Sequence, residues 1–312
     1  MEVKTATTTT SSIDQVFADQ KKKAHLLRLA PLSQRKQLLQ KLRNWVHKNR
    51  ESIQKAMYDD FKKPAGEVDG VEVFHVLGEI KLALQKLEQW AAPQKVDAPI
   101  TFLGTRSYIK AEPRGVCLII APWNYPFSLA VGPLVSAIAA GNTAFIKPSE
   151  ITPHTSALIS RMAAELFEEN QVKVVEGDAS VAAYLTALPF DHIFFTGSPA
   201  VGKLIMKAAA ENLTSVTLEL GGKSPAIVTS SARLEDAAER IAVAKFFNCG
   251  QTCIAPDYIL VEEKVADALV TQLKEKVMQR FTTNSEPLSD SVHYTRLASQ
   301  KHWLRMNAML ED

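Results

Sequence analysis

Residues 116–121 read Val-Cys-Leu-Ile-Ile-Ala, an apolar run with no charged side chain. A strand buried on both faces of a parallel sheet has this composition, whereas a strand with one solvated face alternates apolar and polar residues. The preceding residues 108–115 do alternate, and they turn through the Pro-Arg-Gly sequence at 113–115. The pattern predicts a hairpin within residues 100–116 that leads into a buried strand.

Downstream of this run, segments of strand length alternate with segments of helical periodicity. Such alternation predicts parallel strands covered by helices, with ligands at the carboxyl ends of the strands. The predicted strands are 143–147, 172–175, 192–195 and 215–220, and the predicted helices are 155–168, 181–186 and 201–211. A second α/β unit follows, with predicted strands 226–228 and 258–261 and predicted helices 234–247 and 265–281.

Upstream of the run, residues 13–92 carry apolar residues at helical spacing and predict a set of amphipathic helices. Residues 1–12 are rich in Thr and Ser and predict a disordered tail. With 312 residues, of which 46% are hydrophobic, the chain can bury a large core, and two domains are expected.

The formal net charge of +2 gives no overall attraction to nucleic acid or anionic lipid. Basic residues do crowd residues 21–50, but a solvated helix face commonly has this composition, so no nucleic-acid partner is expected. The most apolar stretch, residues 127–146, is interrupted by glycine and proline, so no membrane span is expected. The three cysteines suggest no disulfide framework, and a reducing, cytoplasmic location is the expectation.

Residues 247–253, Phe-Asn-Cys-Gly-Gln-Thr-Cys, end a predicted helix in a turn that contains glycine. A cysteine in such a turn can be exposed and can act as a nucleophile, which makes Cys253 a candidate. Taken alone, a free cysteine is more often a buried apolar residue, and that alternative stays open here.

Two further polar residues lie at predicted strand ends. Glu219 ends a strand in front of Gly221 and Gly222, where partial burial would suit a general base, and its alternative is a structural ion pair with a lysine. Asn124 lies in the turn Pro-Trp-Asn-Tyr-Pro at 122–126 and could donate to an oxyanion. Its alternative is an ordinary capping asparagine.

Two segments suit a nucleotide. Residues 147–150, Lys-Pro-Ser-Glu, leave a strand with a cation, a hydroxyl and a carboxylate that suit ribose hydroxyls. Residues 195–202 place glycine and serine between a strand and a helix N-terminus, where the helix dipole favours a pyrophosphate. The spacing differs from the usual Gly-x-Gly-x-x-Gly fingerprint.

Together these elements resemble the aldehyde dehydrogenase superfamily, and the segments 218–225 and 250–258 are most similar to its class 3 branch of fatty and aromatic aldehyde dehydrogenases. Coniferyl aldehyde dehydrogenases are also similar. The resemblance implies an α/β fold with a Rossmann-type parallel-sheet NAD(P)-binding domain over residues 13–218 and a partial catalytic domain over 219–312. It also implies an aldehyde substrate and a homodimer.

The resemblance further implies that Cys253 is the nucleophile, Glu219 the base that activates water, and Asn124 the side-chain half of the oxyanion hole. The cofactor would be NAD, with NADP possible, and no metal is expected. The implied cofactor contacts are Trp123, Lys147, Ser149, Glu150, Gly177, Gly197, Ser198, Val201, Gly202, Leu220 and Gly221.

Two departures from the family pattern stand out. Residues 175–178, Val-Glu-Gly-Asp, lack a second glycine that family members usually have. The family's Glu-x-Phe-Gly-Pro segment, whose glutamate holds the nicotinamide ribose, does not occur before Asp312. A C-terminally truncated chain is therefore expected, with an inactive or non-catalytic cofactor-binding scaffold as the alternative.

Overall fold

The computed structural model of the protein describes residues 10–283 and 286–312. A five-stranded parallel sheet lies between helices, and two smaller sheets accompany it. The helices are α1 (Thr10–Arg28), α2 (Leu32–Lys48), α3 (Arg50–Phe61), α4 (Ala65–Val68), α5 (Phe74–Ala91), α6 (Ser128–Ala140), α7 (Pro153–Leu166), α8 (Ala179–Ala187), α9 (Pro199–Ala210), α10 (Leu234–Phe246), α11 (Glu263–Phe281) and α12 (Gln300–Glu311). The strands are β1 (Gln94–Val96), β2 (Ser107–Ile109), β3 (Val116–Ile120), β4 (Thr143–Lys147), β5 (Val172–Val174), β6 (His192–Gly197), β7 (Ser215–Leu220), β8 (Ser224–Val228) and β9 (Pro256–Val261).

The main sheet has the strand order β5-β4-β3-β6-β7, and all of its strands are parallel. The chain runs outward from β3 to β5 and then returns to place β6 on the other side of β3. Strand order therefore reverses between β3 and β6, and crevices at such reversals are where ligands bind in open α/β sheets. All five residues of β3 are buried, as its composition predicts.

Large apolar clusters cover the two faces of this sheet. One joins α2, α3, α5, α6 and α7 to side chains such as Ile119 and Ile146. The other joins α1, α8 and α9 to side chains such as Leu118 and Phe145. Neighbouring residues on a strand point to opposite faces, so Leu118 and Ile119 belong to different clusters.

A buried ion pair within the early helices contacts the start of α6. Lys63 and Glu72, both without exposed surface, lie 2.9 Å apart across α4 and a single π-helical turn at Asp69–Val73. The second carboxylate oxygen of Glu72 accepts from the backbone N–H of Ser128, the first residue of α6. Buried charges of this kind persist where they are paired and hydrogen-bonded, so this segment fixes the start of α6.

Strands β8 and β9 form a separate parallel pair packed against α10 and α11. The predicted second α/β unit is therefore present after Gly222. The boundary between residues 218 and 219 stays a prediction.

Two predictions need correction. The antiparallel hairpin pairs β1 with β2, and residues 113–115 do not join paired strands. The reason is that β3 has β4 on one edge and β6 on the other, so no edge is free for β2. Residues 1–9 of the predicted tail lie outside the described residues, but residues 10–12 belong to α1.

Within the described residues, no helix is both long enough and apolar enough to cross a membrane.

Candidate active site

The carboxyl edge of the main sheet gathers the predicted catalytic side chains. Strands β6 and β7 pair in a register that places Thr196 opposite Glu219. On the other side of β6, Ile120 of β3 is aligned with Phe195, and the chain then runs through Trp123 and Asn124. Parallel strands end at one edge, which is why residues distant in sequence meet there.

Cys253 reaches this edge on a turn after α10. Three successive residues of the turn, Asn248, Cys249 and Gly250, have left-handed φ values of 53°, 55° and 72°. A side chain at Gly222 would place its Cβ 3.1 Å from the carbonyl oxygen of Cys253. The absence of a side chain at Gly222 therefore lets the turn approach the chain that leaves β7.

The surroundings of the three cysteines differ in a way that bears on nucleophilicity. Cys117 lies inside β3, and burial raises the pKa of its thiol to about 12. Cys249 is half-buried beside Tyr294, and burial also raises the pKa of its thiol. Cys253 is exposed. Since thiolates, not thiols, are nucleophilic, Cys253 is the cysteine whose position suits covalent chemistry.

Asn124 is half-buried, and its Nδ2 atom donates to the carbonyl oxygen of Gln251 at 2.9 Å. An amide nitrogen carries two hydrogens, so one remains for another acceptor. The arrangement joins the loop after β3 to the turn before Cys253. Asn124 is thus more than a local turn cap.

Glu219 is exposed, which corrects the expected partial burial, because the end of β7 is not covered by other described residues. It makes no ion pair among the described residues, so the lysine-pair alternative lacks support here. The nearby Lys223 pairs instead with Asp257 at 2.9 Å.

Two cavities meet at this point. The first, which we call the sheet-face cavity, has a volume of about 520 Å³ and runs between α6 and the face of β3 and β6. The second, the strand-end cavity, has a volume of about 430 Å³ and lies over the carboxyl ends of β3, β6 and β7. Three residues line both cavities: Thr196, Glu219 and Cys253.

The walls of the sheet-face cavity are mainly apolar. Alternate residues of β3 and β6 form its floor, and one flank of α6 forms its side. The residues concerned are Cys117, Ile119, Phe194, Leu129, Gly132, Pro133, Ala137 and Ala140.

The strand-end cavity takes in eight of the fourteen predicted site residues: Trp123, Asn124, Gly197, Ser198, Glu219, Leu220, Gly221 and Cys253. Two features fit it to a nucleotide-type ligand. A Cβ at Gly221 would meet no atom within 4 Å, so the backbone borders open space. The buried hydroxyl of Thr196 has no hydrogen-bond partner among the described residues.

The predicted pyrophosphate segment forms the start of α9. Ser198 caps this helix by accepting from the N–H of Val201 at 3.3 Å. At Gly202 a Cβ would lie 3.1 Å from the side chain of Leu220, so glycine allows the helix to pack closely on β7. Val201 and Gly202 do not line the strand-end cavity themselves.

The predicted ribose residues lie at the same edge but outside the strand-end cavity. Buried Lys147 ends β4, and its ammonium group lies 2.6 Å from Glu150, which is half exposed. The hydroxyl of Ser149 accepts from the N–H of Ile151 and so stabilises the turn. Gly177, after β5, has a φ of 147°, a value that favours glycine.

Sequence reasoning missed several residues of the strand-end cavity. Lys245 near the end of α10 and Arg305 of α12 line it, and two cations suit a diphosphate. The ring of Trp123 contacts that of His302, with ring centroids 4.3 Å apart and the ring planes tilted by 32°. Lys245 could have been predicted, because it lies only eight residues before Cys253 in the sequence. No local sequence pattern indicates that α12 packs at this edge.

The chain matches the model of the "Aldehyde dehydrogenase family" over residues 2–312. A 4,4'-diaponeurosporen-aldehyde dehydrogenase of Staphylococcus aureus is 44% identical over 300 residues, which are 96% of this chain and 65% of that protein. Aldehyde dehydrogenase family 3 member A2 of Pongo abelii is 40% identical, over 91% of this chain and 58% of that protein. A coniferyl aldehyde dehydrogenase of a Pseudomonas species is 40% identical, over 94% and 60%.

Solved structures agree with these relatives. The substrate-bound state of Staphylococcus aureus AldH superposes with a TM-score of 0.91 at 43% identity, covering 96% of this chain and 65% of that one. The complex of PnpE with nicotinamide adenine dinucleotide superposes with a TM-score of 0.84 at 27% identity, covering 95% and 60%. The chain thus spans 58–65% of the length of these proteins.

Proposed function

The chain belongs to the aldehyde dehydrogenase family, and from that premise we propose that it oxidises an aldehyde to a carboxylic acid with NAD(P)⁺ through a covalent intermediate on Cys253. The observation that carries the proposal is the junction of the two cavities. An exposed thiol and an exposed carboxylate line both spaces, so a substrate in one and a cofactor in the other would meet at Cys253 and Glu219.

The first step is attack by the Cys253 sulfur on the aldehyde carbon, which makes a thiohemiacetal with an oxyanion. The free amide hydrogen of Asn124 and the backbone N–H of Cys253 would donate to that oxyanion. Preorganised donors of this kind stabilise the transition state more than the substrate. The bound cofactor supplies a hydride acceptor.

The remaining thioester on Cys253 is released by water. Glu219 would take a proton from that water, so that the attack on the acyl carbon yields the carboxylic acid and the free thiol. Exposure of Glu219 at the cavity junction supports this role, because the carboxylate has access to solvent and to the acyl group together.

We further propose that the cofactor lies along the carboxyl edge, over the strand-end cavity and beside Lys147 and Glu150. The N-terminus of α9 and the cations Lys245 and Arg305 would hold the diphosphate. Glu150 would repel a phosphate on the ribose 2′ position, which favours NAD over NADP.

For the substrate we propose an aldehyde with an apolar aromatic or aliphatic body. The apolar floor and side of the sheet-face cavity support this, since apolar walls gain free energy from burying apolar surface. A homodimer and a cytoplasmic location also remain proposals. Exposed apolar side chains on β8 and β9, including Ile227 and Leu260, are consistent with a covering partner.

The proposed function is tested by NAD binding and by aldehyde oxidation in the same preparation. NAD at 100 times its Kd should stabilise the folded protein by about 2.7 kcal/mol, which raises Tm by several degrees. Absorbance of NADH should rise when an aromatic aldehyde is added. A rise in Tm without oxidation would instead indicate a non-catalytic cofactor-binding scaffold. The absence of both the rise in Tm and the oxidation would contradict the proposal.

Gly132→Phe should narrow the sheet-face cavity. A Cβ at Gly132 would meet no atom within 4 Å, so the ring would enter open space beside α6. We expect kcat/KM for an aromatic aldehyde to fall about 10-fold or more, which is the size of effect that the shape of an apolar pocket can produce. The kcat/KM for acetaldehyde should change little. Gly132→Ala, which adds one methyl group, is the control. Equal losses for both aldehydes would show that the cavity does not hold the substrate body.

A further inference from the structure

Asn248 lies five residues before Cys253 and has no exposed surface. Its backbone φ of 53° lies in the left-handed region, which asparagine adopts more readily than most residues other than glycine. Residues persist in this region where surrounding contacts over-determine their conformation. The conformation of the cysteine turn therefore depends on the contacts of Asn248.

The side chain of Asn248 joins the cysteine turn to the loop that carries Asn124. Its Nδ2 atom donates to the carbonyl oxygens of Asn124 at 3.0 Å and of Gln251 at 3.2 Å. The side-chain amide of Asn124 donates to the same Gln251 carbonyl. Asn124 is thus held by its main chain and by its side chain, which fixes the direction of its remaining amide hydrogen.

The early helices hold the backbone of Asn248. One carboxylate oxygen of Glu67, in α4, accepts from the N–H of Asn248 at 3.2 Å and from the hydroxyl of Thr295 at 2.8 Å. Glu67 is 8% exposed, so these bonds are largely shielded from water. The ammonium group of Lys63 lies 3.5 Å from the carbonyl oxygen of Asn124 and supports the same loop.

We propose that Asn248 is a positioning residue, which holds the Asn124 amide and the Cys253 turn in the mutual orientation that an oxyanion requires. The proposal rests on the proposed function, because the oxyanion in question forms on Cys253. Asn248 acts through Asn124 and the turn and does not touch the substrate. Donors whose direction is set before the reaction stabilise an oxyanion without a cost of reorganisation.

Asn248→Gly tests this role, because glycine adopts the left-handed conformation without strain but lacks the amide. We expect kcat for aldehyde oxidation to fall about 10- to 100-fold, with little change in KM. A misplacement of catalytic groups by about 1 Å can cause a loss of this size. Acylation of Cys253 by p-nitrophenyl acetate should fall equally, since it forms a similar oxyanion. Alkylation by iodoacetamide forms no oxyanion and should keep its rate.

Leu213→Gly is the matched control, because Leu213 also has a left-handed φ of 54° but is 94% exposed and distant from the turn in sequence. The rates of aldehyde oxidation, acylation and alkylation should all remain at wild-type values in this variant. Unchanged kcat in Asn248→Gly would overturn the proposal. So would parallel losses of alkylation and turnover, which would indicate a general disruption of the turn.

Hydrogen exchange separates this proposal from the proposed function. The backbone N–H groups of residues 123–125, 127 and 128 should exchange faster in Asn248→Gly than in the wild type, because the bond to the Asn124 carbonyl is gone. Unchanged exchange contradicts the positioning role even if aldehyde is oxidised. A wild-type protein that neither oxidises aldehydes nor is acylated contradicts the proposed function, while the exchange result still reports on the contact.

Discussion

Cys253→Ala should abolish aldehyde oxidation while NAD still raises Tm as it does in the wild type. The substitution removes the sulfur that forms the thioester but leaves the strand-end cavity and the start of α9 in place. Loss of a nucleophile typically costs at least about 10⁴-fold in turnover. Steady-state formation of NADH and thermal denaturation with and without NAD provide the two measurements.

Cys249→Ala is the matched control for this experiment. Cys249 is a half-buried thiol on the same turn, but burial raises its pKa and Tyr294 contacts it, so substantial turnover should remain. If turnover were lost in Cys249→Ala and retained in Cys253→Ala, the nucleophile would be Cys249 and the proposed assignment would be wrong. Loss of the NAD-dependent rise in Tm in Cys253→Ala would instead point to a damaged cofactor site.

Glu219→Gln should leave a first burst of NADH and slow the steady state by about 10²- to 10⁴-fold, the usual contribution of a general base. Attack by the Cys253 thiolate and transfer of hydride do not need an activated water, whereas hydrolysis of the thioester does. Gln has nearly the shape of Glu, and Glu219 makes no ion pair among the described residues, so the fold should be preserved. Stopped-flow absorbance resolves the burst from the later rate.

Glu211→Gln, which changes an exposed carboxylate at the end of α9, should show wild-type kinetics. An equal loss of burst and steady state in Glu219→Gln would place Glu219 before acylation, for example in deprotonation of Cys253. Hydroxylamine offers a further check, because a strong nucleophile can release the acyl group without a base and should restore part of the slow turnover.

Much of the fold could be predicted because it follows from local patterns. The strand at Ser215–Leu220 was predicted with its observed bounds, and the strands at 143–147 and 192–195 were also correct or nearly so. Apolar runs of this length can satisfy their hydrogen bonds and bury their side chains together only inside a sheet. The predicted turn of the hairpin at residues 113–115 was wrong, because these residues lead into β3, and both edges of β3 are already paired with other strands.

The candidate site shows the same division. Cys253, Glu219 and Asn124 could be proposed from sequence because each lies near a strand or helix end, where polar side chains gather in α/β folds. His302 and Arg305 could not, since their helix reaches the strand-end cavity through packing of distant segments. The bond from the Asn248 side chain to the Asn124 carbonyl is likewise a contact across 124 residues of chain, and no local pattern encodes it.

The sequence alone determined the features that short stretches of chain encode. The period of apolar residues, the positions of glycines and the polar residues at strand ends were enough to predict the parallel sheet, the cysteine turn and the family resemblance. Burial belongs to the assembled chain. Only packing distinguishes Cys117, whose thiol has a pKa of about 12, from exposed Cys253, although both are free cysteines in the sequence. The physical reason is that desolvation and close contact depend on every element that surrounds a group, and those elements come from distant parts of the chain.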